Sequence, residues 1–86
     1  MNRYRVVFAR HAAKDSIKIQ EAGLRENVEK LLRILEENPF QNPPPYEKPV
    51  GDLAGCYSRR INLLHRLVYA LYEEEKAVKV LRMWTH

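Results

Sequence analysis

Cysteine is almost missing from this chain: Cys56 is the one copy in 86 residues. Disulfide stapling and cysteine-rich metal sites are thereby excluded, and a reducing cytosol is the expected setting. No apolar run approaches the ~18–20 residues that span a bilayer. The opening Met-Asn-Arg-Tyr-Arg leads into no apolar stretch of the kind a secretory signal needs. Internal repeats and low-complexity segments are lacking as well, and no stretch matches a zinc, P-loop or dinucleotide-binding pattern. Ser58 has no histidine at a convincing spacing for a nucleophilic triad. What is left is an ordinary globular composition, 45% apolar and 30% charged, expected to form one domain over residues 1–86. At this size about 60% of the unfolded surface is buried on folding, so one modest core must suffice.

The most telling absence is local. From Leu53 to Tyr72 there are three arginines, one histidine and no acidic residue. Net charge is +4 with a pI near 9.4, and acids gather instead in Glu36-Glu37 and Glu73-Glu74-Glu75. A moderate basic excess favours a polyanionic partner but is equally consistent with a solvated basic surface. The stretch Tyr57–Tyr69 reads as a β-hairpin. Pairing Ile61 with His65 across a short loop sets Arg60 opposite Arg66 on one face of the sheet. Like charges at cross-strand distance repel, so the pair is expected to hold an anion between its guanidinium forks.

The remaining pattern predicts β-α-α-β-β-β, an α+β fold with a mainly antiparallel sheet and both helices on one face. Arg3–Ala9 is rich in β-branched and aromatic residues and reads as a strand. Arg10–Ala22 reads as a helix with Ala13 and Ile17 one turn apart, stopped at Gly23. Leu24, Val28, Leu31, Leu32 and Leu35 trace one apolar stripe along a second helix, Leu24–Asn38. Glu26–Lys30 and Glu29–Arg33 are expected as i, i+4 ion pairs on its outer surface. Asn38-Pro39 ends it. All five prolines fall between Pro39 and Gly51, predicting a stiff extended connection that presents Tyr46 and Glu47.

Strands are expected at Cys56–Asn62, His65–Tyr72 and Lys76–Trp84, the last two joined by a tight turn. Alternation puts Tyr57, Arg59, Ile61, Leu67, Tyr69 and Leu71 towards the helices, with Arg59 near an edge where its head reaches water. Ser58, Arg60, Asn62, Arg66, Val68 and Ala70 form the opposite, uncovered face. In the last strand Val78 and Val80 suggest one face, Leu81 and Met83 the other, which a bulge would reconcile. Catalysis would need a proton acceptor and donor beside the arginines. Glu47 is the carboxylate just before the hairpin, and can be read as a base or as a solvated loop residue. His86, the last residue of the last strand, can be read as a donor or a frayed end. His65 falls on the core face, where a structural role is expected, and His11 on the helix surface.

The run Leu53-Ala54-Gly55-Cys56-Tyr57-Ser58-Arg59-Arg60-Ile61, followed by His65-Arg66-Leu67-Val68-Tyr69, resembles the YoeB/Txe group of bacterial toxins within the RelE superfamily. Glu47, the Asn38-Pro39-Phe40 helix exit and the final histidine agree with it. The resemblance implies the toxin half of a type II toxin–antitoxin pair. Its activity would be metal-free, ribosome-dependent cleavage of messenger RNA by attack of a 2′-hydroxyl on the adjacent phosphate. No cofactor is implied. Carried over, Glu47 is the general base, Arg60 and Arg66 hold the phosphate, and His86 serves the leaving 5′-oxygen. Lys14, Lys18, Arg25, Lys30 and Arg33 on the helices, with Arg59 and Arg82, are the cations expected to meet RNA on the ribosome. Implied partners are a cognate antitoxin, the ribosomal A site with its message, and a second copy of the chain; the implied location is cytoplasmic. Two features depart from the group. A tyrosine customarily follows the histidine, and Ala12-Ala13-Lys14-Asp15 stands where relatives are rich in tryptophan and aspartate. Two alternatives accompany this reading: a ParE-type toxin acting on a protein target, and an inactive RNA-binding relative.

Overall fold

The structure, a computed structural model, describes residues 3–48 and 55–84. In chain order the elements are β1 (Arg5–Phe8), α1 (Arg10–Glu21), α2 (Arg25–Glu37), β2 (Tyr46–Glu47), β3 (Cys56–Arg60), β4 (Arg66–Tyr72) and β5 (Ala77–Arg82). The five strands form one sheet in the order β1-β5-β4-β3-β2. Only β1 with β5 is parallel; the other pairs are antiparallel. The expected order thus gains one element, the two-residue strand β2, which attaches the proline-rich segment to the sheet edge. No described helix is long and apolar enough to cross a membrane.

The predicted stripe of α2 packs as expected: Val28, Leu31 and Leu35 are buried, with Leu24 and Leu32 partly so. They meet Ile61, Leu67, Tyr69, Val78, Val80 and Met83 in one core cluster. The first helix is rotated from its expected setting. Ala12, Asp15 and Ile19 face inward, while Ala13 and Ile17 are exposed. A carboxylate in the buried row hid the true stripe, and that carboxylate is fully hydrogen-bonded at the end of β5. Gly23, at φ +74°, closes α1. Its N–H donates to the Gln20 carbonyl (3.1 Å) and that of Leu24 to the Ile19 carbonyl (3.0 Å), the pairing of a left-handed helix stop. On α2 the ion pair within reach is Arg25–Glu29 at 3.4 Å, in place of the two expected pairs.

The segment after α2 bends instead of running straight. Phe40 N–H donates to the Asn38 side chain (3.1 Å), and the chain turns again at Pro43-Pro44. The peptides before Pro43 and Pro44 are cis. The bulge in β5 is present: Val68 pairs with Arg82 and Tyr69 with Val80, leaving Leu81 as the extra residue.

A candidate phosphate-binding and catalytic face

The hairpin register places Arg60 directly opposite Arg66. Its loop is built by Asn62, whose Oδ1 accepts the N–H groups of Leu64 (2.9 Å) and His65 (2.8 Å). Ile61 N–H donates to the His65 carbonyl at 2.9 Å, closing the turn. This local capping ends β3 at Arg60, two residues earlier than expected. On the neighbouring edge, Glu47 pairs with Ser58 and Tyr46 with Arg59. Glu47 therefore joins the hairpin face that carries Ser58 and the two arginines.

Two of the four candidates for chemistry, Glu47 and Arg66, thus meet, and Arg60 lies opposite Arg66 in the register. Arg66 Nη2 lies 3.4 Å from Glu47 Oε1, and Arg66 Nη1 is 3.4 Å from Ser58 Oγ. Arg60 Nη1 reaches the Leu63 carbonyl at 3.4 Å. All of these distances are long for charge-assisted contacts, which run nearer 2.7–2.9 Å at their strongest. A phosphate could replace them without breaking a tight bond. The expectation that the arginine pair has no counterion in the chain is corrected for Arg66, because β2 brings Glu47 beside it. The face is also less open than expected. Ser58 and Ala70 are buried, so the exposed ground lies at the Arg60 end. His86, the fourth candidate, lies outside the described residues.

Arg59 departs furthest from expectation. It does not reach water at an edge; it is fully buried. Nη1 donates to the Pro44 carbonyl (2.6 Å), Nη2 to that of Pro39 (2.8 Å) and Nε to the Tyr69 hydroxyl (3.1 Å). Its guanidinium also sits 4.9 Å from the centre of the Tyr46 ring. Fully buried, Arg59 has no surface to offer RNA. The carbonyls of the bent proline segment meet it where it would otherwise be unsatisfied, and that is why it remains inside. Alternation had put it on the core face; the segment folding over it had no signal in the strand pattern. Burial raises the Tyr69 phenol above its ordinary pKa, although the Arg59 guanidinium opposes the shift.

Arg82 turns towards α1. Its Nε donates to Asp15 Oδ2 at 2.8 Å and its Nη2 to the Trp84 carbonyl at 3.0 Å. Lys14, Lys18, Arg25, Lys30 and Arg33 are exposed on the helices. His65 is buried as expected, its ring stacked on Trp84 with centroids 3.8 Å apart.

The sequence profile of the YoeB-like toxin of bacterial type II toxin–antitoxin systems matches residues 8–86. The chain belongs to that family. Toxin YoeB of Streptomyces coelicolor is 29% identical to it over 76 residues, 86% of this chain and 90% of the relative. A solved YoeB/ParE toxin from Agrobacterium tumefaciens is 28% identical with a TM-score of 0.84, covering 95% of this chain and 98% of that one. YoeB of Staphylococcus aureus has been solved as a dimer, at 28% identity and a TM-score of 0.81, over 98% of both chains. It has also been solved in a heterotetrameric YoeB–YefM complex, at 29% identity and a TM-score of 0.80 over the same shares. Membership of the YoeB-like family agrees with both the hairpin motif and the five-stranded mixed sheet.

Proposed function

We propose that this YoeB-like toxin is a ribosome-dependent endoribonuclease that cleaves messenger RNA in the A site. The observation that carries the reading is the contact of Glu47 with Arg66 on the sheet face where Arg60 lies opposite Arg66, three residues from three different strands. Glu47 takes the proton of a ribose 2′-hydroxyl. The 2′-oxygen attacks the adjacent phosphorus and the bond to the 5′-oxygen breaks, leaving a 2′,3′-cyclic phosphate. Arg60 and Arg66 hold the non-bridging oxygens as negative charge builds, a task suited to planar forks already in place. His86 returns a proton to the leaving oxygen. Each step runs on side chains of this protein.

The same exposed face is the proposed docking ground of a cognate antitoxin. The S. aureus relative assembles with YefM and forms a dimer, and a flexible acidic or amphipathic segment would match the arginines by charge. Toxin and target would meet in the cytoplasm. Primer extension on translating ribosomes tests the reading. Wild-type protein should give discrete cuts in the message, while Arg66→Ala and Glu47→Ala should each lower cleavage by about 10²–10³-fold and relieve growth arrest. Full toxicity of both variants would refute the assignment.

A further inference from the structure

We propose that Arg59 is a positioning residue, a buried strut that fixes Glu47 in register for the reaction; the inference rests on Glu47 being the base. Arg59 is fully buried, yet among the described residues no carboxylate accepts a hydrogen bond from it. Its partners are two backbone carbonyls and a phenol. A buried guanidinium held by neutral oxygens alone is a poor way to add stability, because the cost of removing its charge from water is large and an apolar side chain of similar volume often does as well. What the arrangement supplies is geometry. The Pro39 and Pro44 carbonyls lie near the two ends of the loop between α2 and β2, and one rigid fork binds both. The same residue is the register partner of Tyr46, whose ring it touches, and Glu47 is the next residue along.

The strand that Arg59 holds is short. β2 has two residues and lies at the sheet edge, too little to keep its own register. Phe40, Tyr46 and Tyr57 pack edge to face around it with centroids 5.8–6.4 Å apart, and Tyr57 stacks on Tyr69 at 6.0 Å. These rings fill space but can slide; the directional bonds in the cluster come from Arg59. Side chains alternate across β2, so anchoring Tyr46 inward turns Glu47 outward to Arg66 and Ser58. Arg59 therefore acts from the core side of the sheet on a carboxylate of the opposite face, without touching substrate.

The test uses Arg59→Met, which keeps bulk without the fork, and Arg59→Lys, which keeps the charge without the second carbonyl bond. Cleavage of message on ribosomes should fall by about 10²-fold in Arg59→Met, mainly in kcat with little change in KM. Combined with Glu47→Ala, the same substitution should cost no more than about twofold further, whereas combined with Arg60→Ala it should keep its full factor. Amide hydrogen exchange should quicken at Tyr46 and Glu47 while β4 and β5 keep their protection. Additive loss in the Glu47→Ala background, unchanged exchange at β2, or global unfolding of both variants would each overturn the strut. If Glu47→Ala itself cleaved normally, the base assignment would fail first, and the exchange result would still decide whether Arg59 holds β2.

Discussion

Arg82 and Asp15 join the end of the last strand to the first helix: Nε donates to Oδ2 at 2.8 Å, and the same oxygen accepts the backbone N–H groups of Met83 (2.9 Å) and Trp84 (3.2 Å). Burial by itself would raise the Asp15 pKa, but the Arg82 guanidinium and the two backbone donors outweigh it, and the group ends below the usual carboxylate value. A carboxylate depressed on folding contributes stability above its unfolded pKa, and that contribution disappears as pH falls through the lower folded value. The melting temperature should therefore drop on acidification below the ordinary carboxylate range. Asp15→Asn should flatten that part of the profile, and Asp15→Ala should cost about 1–3 kcal/mol at neutral pH. Thermal melts of the three proteins across acidic pH check both. An Asp15→Asn profile parallel to the wild type would show that the acid dependence arises elsewhere.

The arginine pair predicts the opposite sign. Arg60 is exposed, faces Arg66 across the ladder, and makes a long bond to a loop carbonyl. Removing its charge relieves repulsion and breaks little. Arg60→Gln should leave stability within about 0.5 kcal/mol of the wild type or raise it, while lowering cleavage sharply. Urea denaturation beside a ribosome cleavage assay separates the two effects. Arg66→Gln also gives up the contacts to Glu47 and Ser58, so its gain should be smaller. Marked destabilisation by Arg60→Gln would make the residue a structural one.

The hairpin was legible because its information is local. Period-two alternation and a short loop between Ile61 and His65 fix which arginine faces which, and the register Arg60 to Arg66 follows. The helical stripe of α2 was legible for the same reason. What escaped was set by pairing between distant segments. Glu47 becomes the neighbour of Arg66 only because two residues of the proline segment join the sheet edge, and no pattern two residues long announces a strand. Asp15 misled the reading of α1, since a charge at a helical position usually marks the solvent face. Its partners, the backbone N–H groups after Arg82, carry no side-chain signature at all. Arg59 lay between these cases: its core-facing position could be read from alternation, its lid of carbonyls could not.

Tyr69 offers a test from the alkaline side. Its hydroxyl accepts the Nε–H of Arg59 at 3.1 Å in the interior, and burial raises its pKa even though the guanidinium pulls the other way. An acid whose pKa rises on folding is held neutral in the folded protein. Its contribution to stability is fully present below the unfolded phenol value and is lost as pH climbs through the higher folded one. Unfolding should therefore steepen above about pH 10, the ordinary range of tyrosine, and Tyr69→Phe should remove that component. The same substitution leaves a buried Nε–H without its acceptor, so it should cost about 1–3 kcal/mol at neutral pH. The two carbonyl bonds of Arg59 to Pro39 and Pro44 do not involve the phenol. Cleavage by Tyr69→Phe should accordingly survive at temperatures where the protein is folded, in contrast to Arg59→Met. A variant as stable as the wild type at neutral pH, with an unchanged alkaline limb, would mean that the phenol is not what satisfies Arg59 on that side.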